Sequence, residues 1–189
     1  MKQKIMDNFT MHKVNEVSIF KFICCILQYF KVTTIIMIFL SIVCLMCDFT
    51  KLINIVLEFN ALYWGGILLS TFIHEYMHFM FLKRFGVKDV RIKKSFLKFG
   101  IVFCEENLKK GKLILVALSG PIICFFIGCI LITINMLLCR KIINFISIVY
   151  IFHIVNLVPF FGDGKVILKS LVLLMKPFLK RKSNLINKL

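Results

Sequence analysis

The apolar residues of this chain are gathered into long blocks with no helical or strand spacing inside them. Four blocks stand out: about Val32 to Cys47, Ala61 to Leu82, Leu113 to Leu138, and Ile142 to about Phe161. A helix needs roughly 20 mainly apolar residues to cross a bilayer, so these blocks predict about four transmembrane helices. The first block can be extended upstream by Phe22–Phe30. That piece carries Lys21, Gln28 and Lys31, and an interfacial helix leading into the span fits equally well. A last apolar stretch, Val166–Leu179, is broken by Lys169, Lys176 and Pro177, and reads as a helix on or near the surface. Between the second and third blocks the pattern changes. Residues 83–112 alternate around Val87, Val90 and Ile92, and again at Ile101 and Phe103, with Gly86 and Gly100 nearby. This predicts a small hairpin at the membrane surface, though a plain basic loop would carry the same residues.

Composition agrees with lipid as the solvent. Sixty per cent of the residues are apolar and 18% are charged, more apolar surface than a 189-residue soluble core can hide. The net charge of +16 would suggest nucleic acid in a soluble protein. No aromatic-interleaved basic face or known module accompanies it, so nucleic acid is not expected as a partner, and anionic headgroups explain the charge. Lysine and arginine number five in residues 1–31, ten in 83–112 and seven in 162–189, against one in 48–60 and two in 139–141. With four spans these segments alternate sides, and the positive-inside rule places both termini and the 83–112 loop in the cytoplasm. An odd number of spans would spoil the alternation. The N-terminus, MKQKIMDNFTMHKVNEV, is too polar and too long for the short leader of a signal peptide, so the first span is expected to stay as an anchor. Most of the eight cysteines lie inside apolar blocks and act as small hydrophobes. Cys44 and Cys47 form a C-x-x-C pair with no second pair at zinc-ribbon spacing. Richness in Ile, Lys, Phe and Asn suggests a low-GC bacterial membrane.

The chemistry lies in two acids. Asp7, Glu16, Asp48, Glu58, Asp89, Glu105 and Glu106 fall in polar segments, which leaves Glu75 and Asp163 in or at the ends of spans. An ionisable group at membrane depth costs about 2.5–3.5 kcal/mol even on lenient scales, so each calls for a partner. Glu75 belongs to His74-Glu75-Tyr76-Met77-His78, an H-E-x-x-H motif. On a helix the two histidines share a face and can hold one metal ion, and Glu75 can reach a metal-bound water as general base. A catalytic zinc wants a third protein ligand. His12 is remote in the N-terminal tail. His153 stands ten residues before Asp163, about 15 Å deeper along a helix, and is read as a core histidine. Asp163 exits on the same side as His78, which makes it the third ligand; the plainer reading of Asp163 is an N-cap for the helix that follows. Around it, Pro159 interrupts helical bonding and Gly162 and Gly164 permit unusual backbone. Asn156 offers an amide for a substrate backbone or a developing oxyanion.

Taken together, these motifs resemble the site-2 protease family of intramembrane zinc metalloproteases. That family combines H-E-x-x-H on one span with N-x-x-P-x(n)-D-G on a later one, here His74–His78 and Asn156, Pro159, Asp163 and Gly164. A small-residue and Gly-Pro motif on the intervening span is matched by Ala117-Leu118-Ser119-Gly120-Pro121. The resemblance covers about residues 61–168 and implies a three-span catalytic core in an all-α membrane protein. Residues 1–31 then form a cytoplasmic N-terminal segment, 32–60 the first span with an external loop, and 169–189 a basic cytoplasmic tail. The chain departs from the family pattern in Gly162-Asp163-Gly164-Lys165, which lacks the preceding leucine and the second glycine, and it has no room for a PDZ or CBS domain.

The resemblance implies one Zn2+ ion, held by His74, His78 and Asp163, with Glu75 as catalytic base. The substrate would be a membrane-anchored protein or peptide precursor, cut in or near its own span toward the cytoplasmic side. Gly120 and Pro121 would break the third span or pack it closely beside the site, with a simple kink as the alternative. Two competing readings stay open. One is a non-catalytic membrane protein for metal handling, transport or immunity. The other is a protease of the kind that processes prenylated proteins, whose third ligand would be a glutamate such as Glu105 or Glu106. Oligomeric state is not readable.

Overall fold

Ser18 starts the first helix by accepting the Lys21 N–H on its hydroxyl, at 3.3 Å. The helix α1 spans Ile19–Tyr29, and a turn at Phe30 leads into α2, Lys31–Met46, bent by 75° from it. The apolar block expected from Val32 to Cys47 is therefore α2 almost to the residue, and the upstream piece is a separate helix. Phe22 fixes where α1 docks. It is fully buried, with its ring edge-on to Phe72 and Tyr76 at 5.9 and 5.8 Å and stacked on Phe79 at 6.0 Å. The computed structural model describes residues 8–13, 18–47, 50–95, 98–103 and 108–186.

The expected loop at 48–60 is instead helical from Thr50. Helix α3 (Thr50–Ala61) runs through a π-helical segment (Leu62–Leu68) into α4 (Leu69–Arg84), giving an apolar stretch of 33 residues from Leu52 to Arg84. Asn60, one of the polar residues that suggested a loop, is accommodated by side-chain bonds. Asn60 donates its amide to Ser41 Oγ and to the Val56 carbonyl, both at 2.9 Å, and Tyr63 meets Thr34 at 2.6 Å. Satisfied in this way, polar groups can continue an apolar helix.

Residues 83–112 do contain the expected hairpin. Strands β2 (Asp89–Ser95) and β3 (Lys98–Phe103) pair antiparallel, with Val90 opposite Phe103 and Ile92 opposite Ile101. A strand not foreseen, β1 (Asn8–Lys13), completes a three-stranded sheet in the order β1-β2-β3, pairing Phe9 with Lys93 and His12 with Val90. The fold is thus mostly helical, with a sheet that the all-α reading lacked beyond its hairpin.

Helix α5 (Lys110–Leu138) is unbroken, with Pro121 inside it. It turns at Cys139, in left-handed conformation (φ 52°), into α6 (Lys141–Phe152). Asn135 secures that turn. Its amide donates to Asn144 Oδ1 at 2.6 Å, and its Oδ1 accepts the Arg140 N–H at 2.8 Å. Small residues let α5 and α6 approach: a Cβ on Gly128 would lie 2.9 Å from the Ser147 carbonyl. A 3-10 turn (His153–Leu157) follows α6, and α7 then runs from Gly162 to Ile186, continuing through Lys169 and Lys176 where an interrupted surface helix was expected.

Three helical stretches are long and apolar enough to cross a membrane, or four if the bent α1–α2 pair is one span. Their outer faces expose Ile35, Phe39, Phe126, Ile130, Phe145 and Ile148, an apolar surface suited to lipid. Toward the sheet, Phe22, Ile26, Phe79, Leu82, Val90, Leu113 and Val116 form the core, which includes two residues of α4.

Candidate metal centre

Both histidines of the H-E-x-x-H motif lie on the buried face of α4, where α5 crosses it. Gly120 makes that crossing possible. A Cβ there would lie 2.7 Å from the His74 carbonyl and 2.8 Å from the His78 ring, so no other residue fits without displacing a helix. Pro121 leaves the Ala117 carbonyl without its helical donor, and Ala117 lines a small cavity at the site. Close packing by an unbroken helix is thus what this pair does, rather than a break in the span.

The third residue arrives from the far end of the chain. After the 3-10 turn, Val158-Pro159-Phe160-Phe161 forms a β-turn closed by Phe161 N–H donating to the Val158 carbonyl at 2.9 Å, with proline in its favoured second position. Gly164 folds back so closely on the carbonyls of Val158 and Leu157 that a side chain would collide with them. This turn puts Asp163 in the first turn of α7 with its carboxylate on the two histidines. The positive end of the helix dipole favours the charge there.

The geometry has the dimensions of a metal site. Asp163 Oδ2 is 3.2 Å from His74 Nε2, Asp163 Oδ1 is 3.4 Å from His78 Nε2, and the two Nε2 atoms are 3.2 Å apart. Ligands on a tetrahedral ion with bonds of about 2.0–2.1 Å stand about 3.3–3.4 Å from one another. The three side chains therefore stand close enough together that one donor atom from each could hold a metal ion. His78 is also oriented for it: Nδ1 donates to the Val116 carbonyl at 2.7 Å, with Ser119 Oγ at 3.4 Å, which leaves the Nε2 lone pair toward the site.

Glu75 points elsewhere on the same helix. Its carboxylate lies beside β3, 3.9 Å from where a Cβ on Gly100 would stand, with the Ile101 backbone as a hydrogen-bond partner. Ile101 is also part of a cavity of about 70 Å³ lined by His78, Val116, Ala117, Asp163 and Val166. That volume holds at least one water. Asn156 is not in this cavity. It lines a larger one of about 390 Å³, with Ser70, Thr71, Phe152, His153 and Phe161 among its walls.

His153 is closer to the site than a straight helix would place it. Its ring stacks on His74 with centroids 4.7 Å apart and meets Ser70 Oγ at 3.1 Å. The 3-10 turn and the Pro159 turn compress the path to Asp163, so both residues reach His74. A proline six residues on was the available signal that the helical rise would not hold. Gly100 and the Val116 carbonyl also belong to the site and carried no motif. Glu105 and Glu106 lie outside the described residues.

Compared with known proteins, the chain matches no family model, no curated protein and no solved structure.

Proposed function

We propose that the chain is an intramembrane zinc metalloprotease of site-2 protease type, hydrolysing a peptide bond in or near the transmembrane segment of a membrane-anchored protein or peptide. The observation that carries this reading is the close grouping of His74, His78 and Asp163, with Glu75 next to His74 on the same helix. A zinc ion held by those three residues would supply Lewis acidity and an acidified water. Glu75 would serve as the general base for a water there and return the proton to the leaving amine. The Asn156 amide, on the wall of the larger cavity, would bind an extended substrate backbone.

In a bilayer the charge distribution supports both termini and the sheet facing the cytoplasm, and the scissile bond would then be cut toward that side. The experiment that tests the reading compares membrane peptides by mass spectrometry in cells carrying the native chain and the Glu75→Gln chain. Loss of defined cleavage products with zinc still bound is the expected result. Unchanged products in the Glu75→Gln cells would refute the mechanism. A non-catalytic metal-binding role is favoured by a second cluster of ligating residues around His74, and it predicts that no peptide differs between the two strains.

A further inference from the structure

His74 has two ring nitrogens, and the site described above uses one. Nε2 faces Asp163 and His78, whereas Nδ1 is buried without a hydrogen-bond partner. A buried polar atom left unpaired costs about 1–3 kcal/mol, so it wants an explanation. Two further ligating side chains stand at the same ring. The ligand atoms of His74, Cys124 and His153 all lie within 4.8 Å of one another. Cys124 is fully buried, and its thiol makes a 3.5 Å contact with the Ser70 carbonyl. Neither Cys124 nor His153 has a part in the proposed hydrolysis.

We infer that His74, Cys124 and His153 form a second metal site, for a divalent thiophilic cation of the zinc class, with His74 bridging the two ions through its opposite nitrogens. Thiolate and imidazole are the donors such ions select. On binding, the Cys124 S–H and the His74 Nδ1–H protons leave to solvent, and the thiolate and the bridging imidazolate bond the cation. The two negative charges balance the divalent ion, which suits a site buried in low dielectric. The 390 Å³ cavity, walled by His153 and Ser70, gives the ion its route and leaves room for a fourth ligand. It also gives His153 space to tilt out of its stack on His74 and release Ser70, as coordination of one ion by both rings requires. The inference shares His74 with the hydrolytic site and does not require that the chain cut peptides.

The test uses cadmium as probe on the full chain purified in detergent and stripped of metal, with Cys124 kept as the sole cysteine. Two retained equivalents are expected after desalting, accompanied by a thiolate-to-cadmium charge-transfer band in the ultraviolet. Cys124→Ser removes one equivalent and the band. His153→Phe, which keeps a ring stacked on His74, weakens that equivalent on the order of tenfold to a hundredfold. Asp163→Ala removes the other equivalent and leaves the band. One equivalent without a band, kept in Cys124→Ser and lost in Asp163→Ala, overturns the second site while the first stands. Two equivalents unchanged by Asp163→Ala overturn the first site alone. Should the single-cysteine chain not fold, native chain and Cys124→Ser are compared directly: loss of one equivalent supports the site, and equal stoichiometry overturns it.

Discussion

Gly120→Ala puts the metal centre under a known geometric load. The new Cβ would stand 2.7 Å from the His74 carbonyl and 2.8 Å from His78 Nε2 and Cε1, where ordinary contact begins at 3.4 Å. Relief requires α5 and α4 to separate by about 0.7 Å, because the obstacle includes backbone and a ring held on both sides. A shift of that size stretches the 2.7 Å bond from His78 Nδ1 to the Val116 carbonyl toward about 3.4 Å, beyond hydrogen-bond range. Overpacking of this kind costs about 1–3 kcal/mol of stability. Loss of the orienting bond lowers metal affinity about 10–100-fold, or about 1.4–2.7 kcal/mol. The assay is zinc competition against a calibrated chelator in detergent, alongside thermal unfolding of the zinc-free chain. Gly111→Ala is the matched control: it lies in the same helix with nothing within 4 Å of its added Cβ, and should be neutral or stabilising by up to about 1 kcal/mol. If Gly120→Ala matches that control in both affinity and stability, the close crossing of α4 and α5 is not what positions His78.

Other substitutions divide binding from chemistry. Glu75→Gln should retain zinc at native stoichiometry, measured by mass spectrometry of the purified chain, and abolish cleavage; Asp163→Ala should lose both. Gly164→Ala drives a side chain into the Val158 carbonyl and should cost at least about 2 kcal/mol in thermal stability while weakening zinc, since the turn it disrupts carries Asp163. Asn135→Ala removes the two bonds that hold the α5–α6 turn and should lower stability by about 1–2 kcal/mol, with zinc affinity unchanged.

The helices were legible where apolar residues ran without interruption, as for α2 and α5. They were misread where polar residues interrupted the run. The stretch 48–60 looked like a loop in part because the partner of Asn60, Ser41, sits on another helix. The grouping of His74, His78 and Asp163 was readable because H-E-x-x-H is a local pattern and Asp163 is one of few acids near the spans. His153 was not, because its place depends on a 3-10 turn and a β-turn whose combined path has no fixed rise. Cys124 looked like the other apolar-block cysteines; only the crossing of α4 and α5 sets it beside His74. Strand β1 was unreadable for a related reason: six mixed residues gain a partner some eighty positions away, and nothing in NFTMHK names it.

That pairing has a consequence for how the chain threads a bilayer. Two strands can share hydrogen bonds only on one side of a membrane, so the path from Lys13 to Asp89 must cross an even number of times. In a bilayer the stretch Leu52–Arg84, long and apolar enough to span, would supply one crossing, and the bent pair α1–α2, taken as one span, would supply the other. The same count predicts that a chain inserted without α2 as a span would leave β1 across the bilayer from β2, and the hairpin edge away from β3 would lose its outer strand.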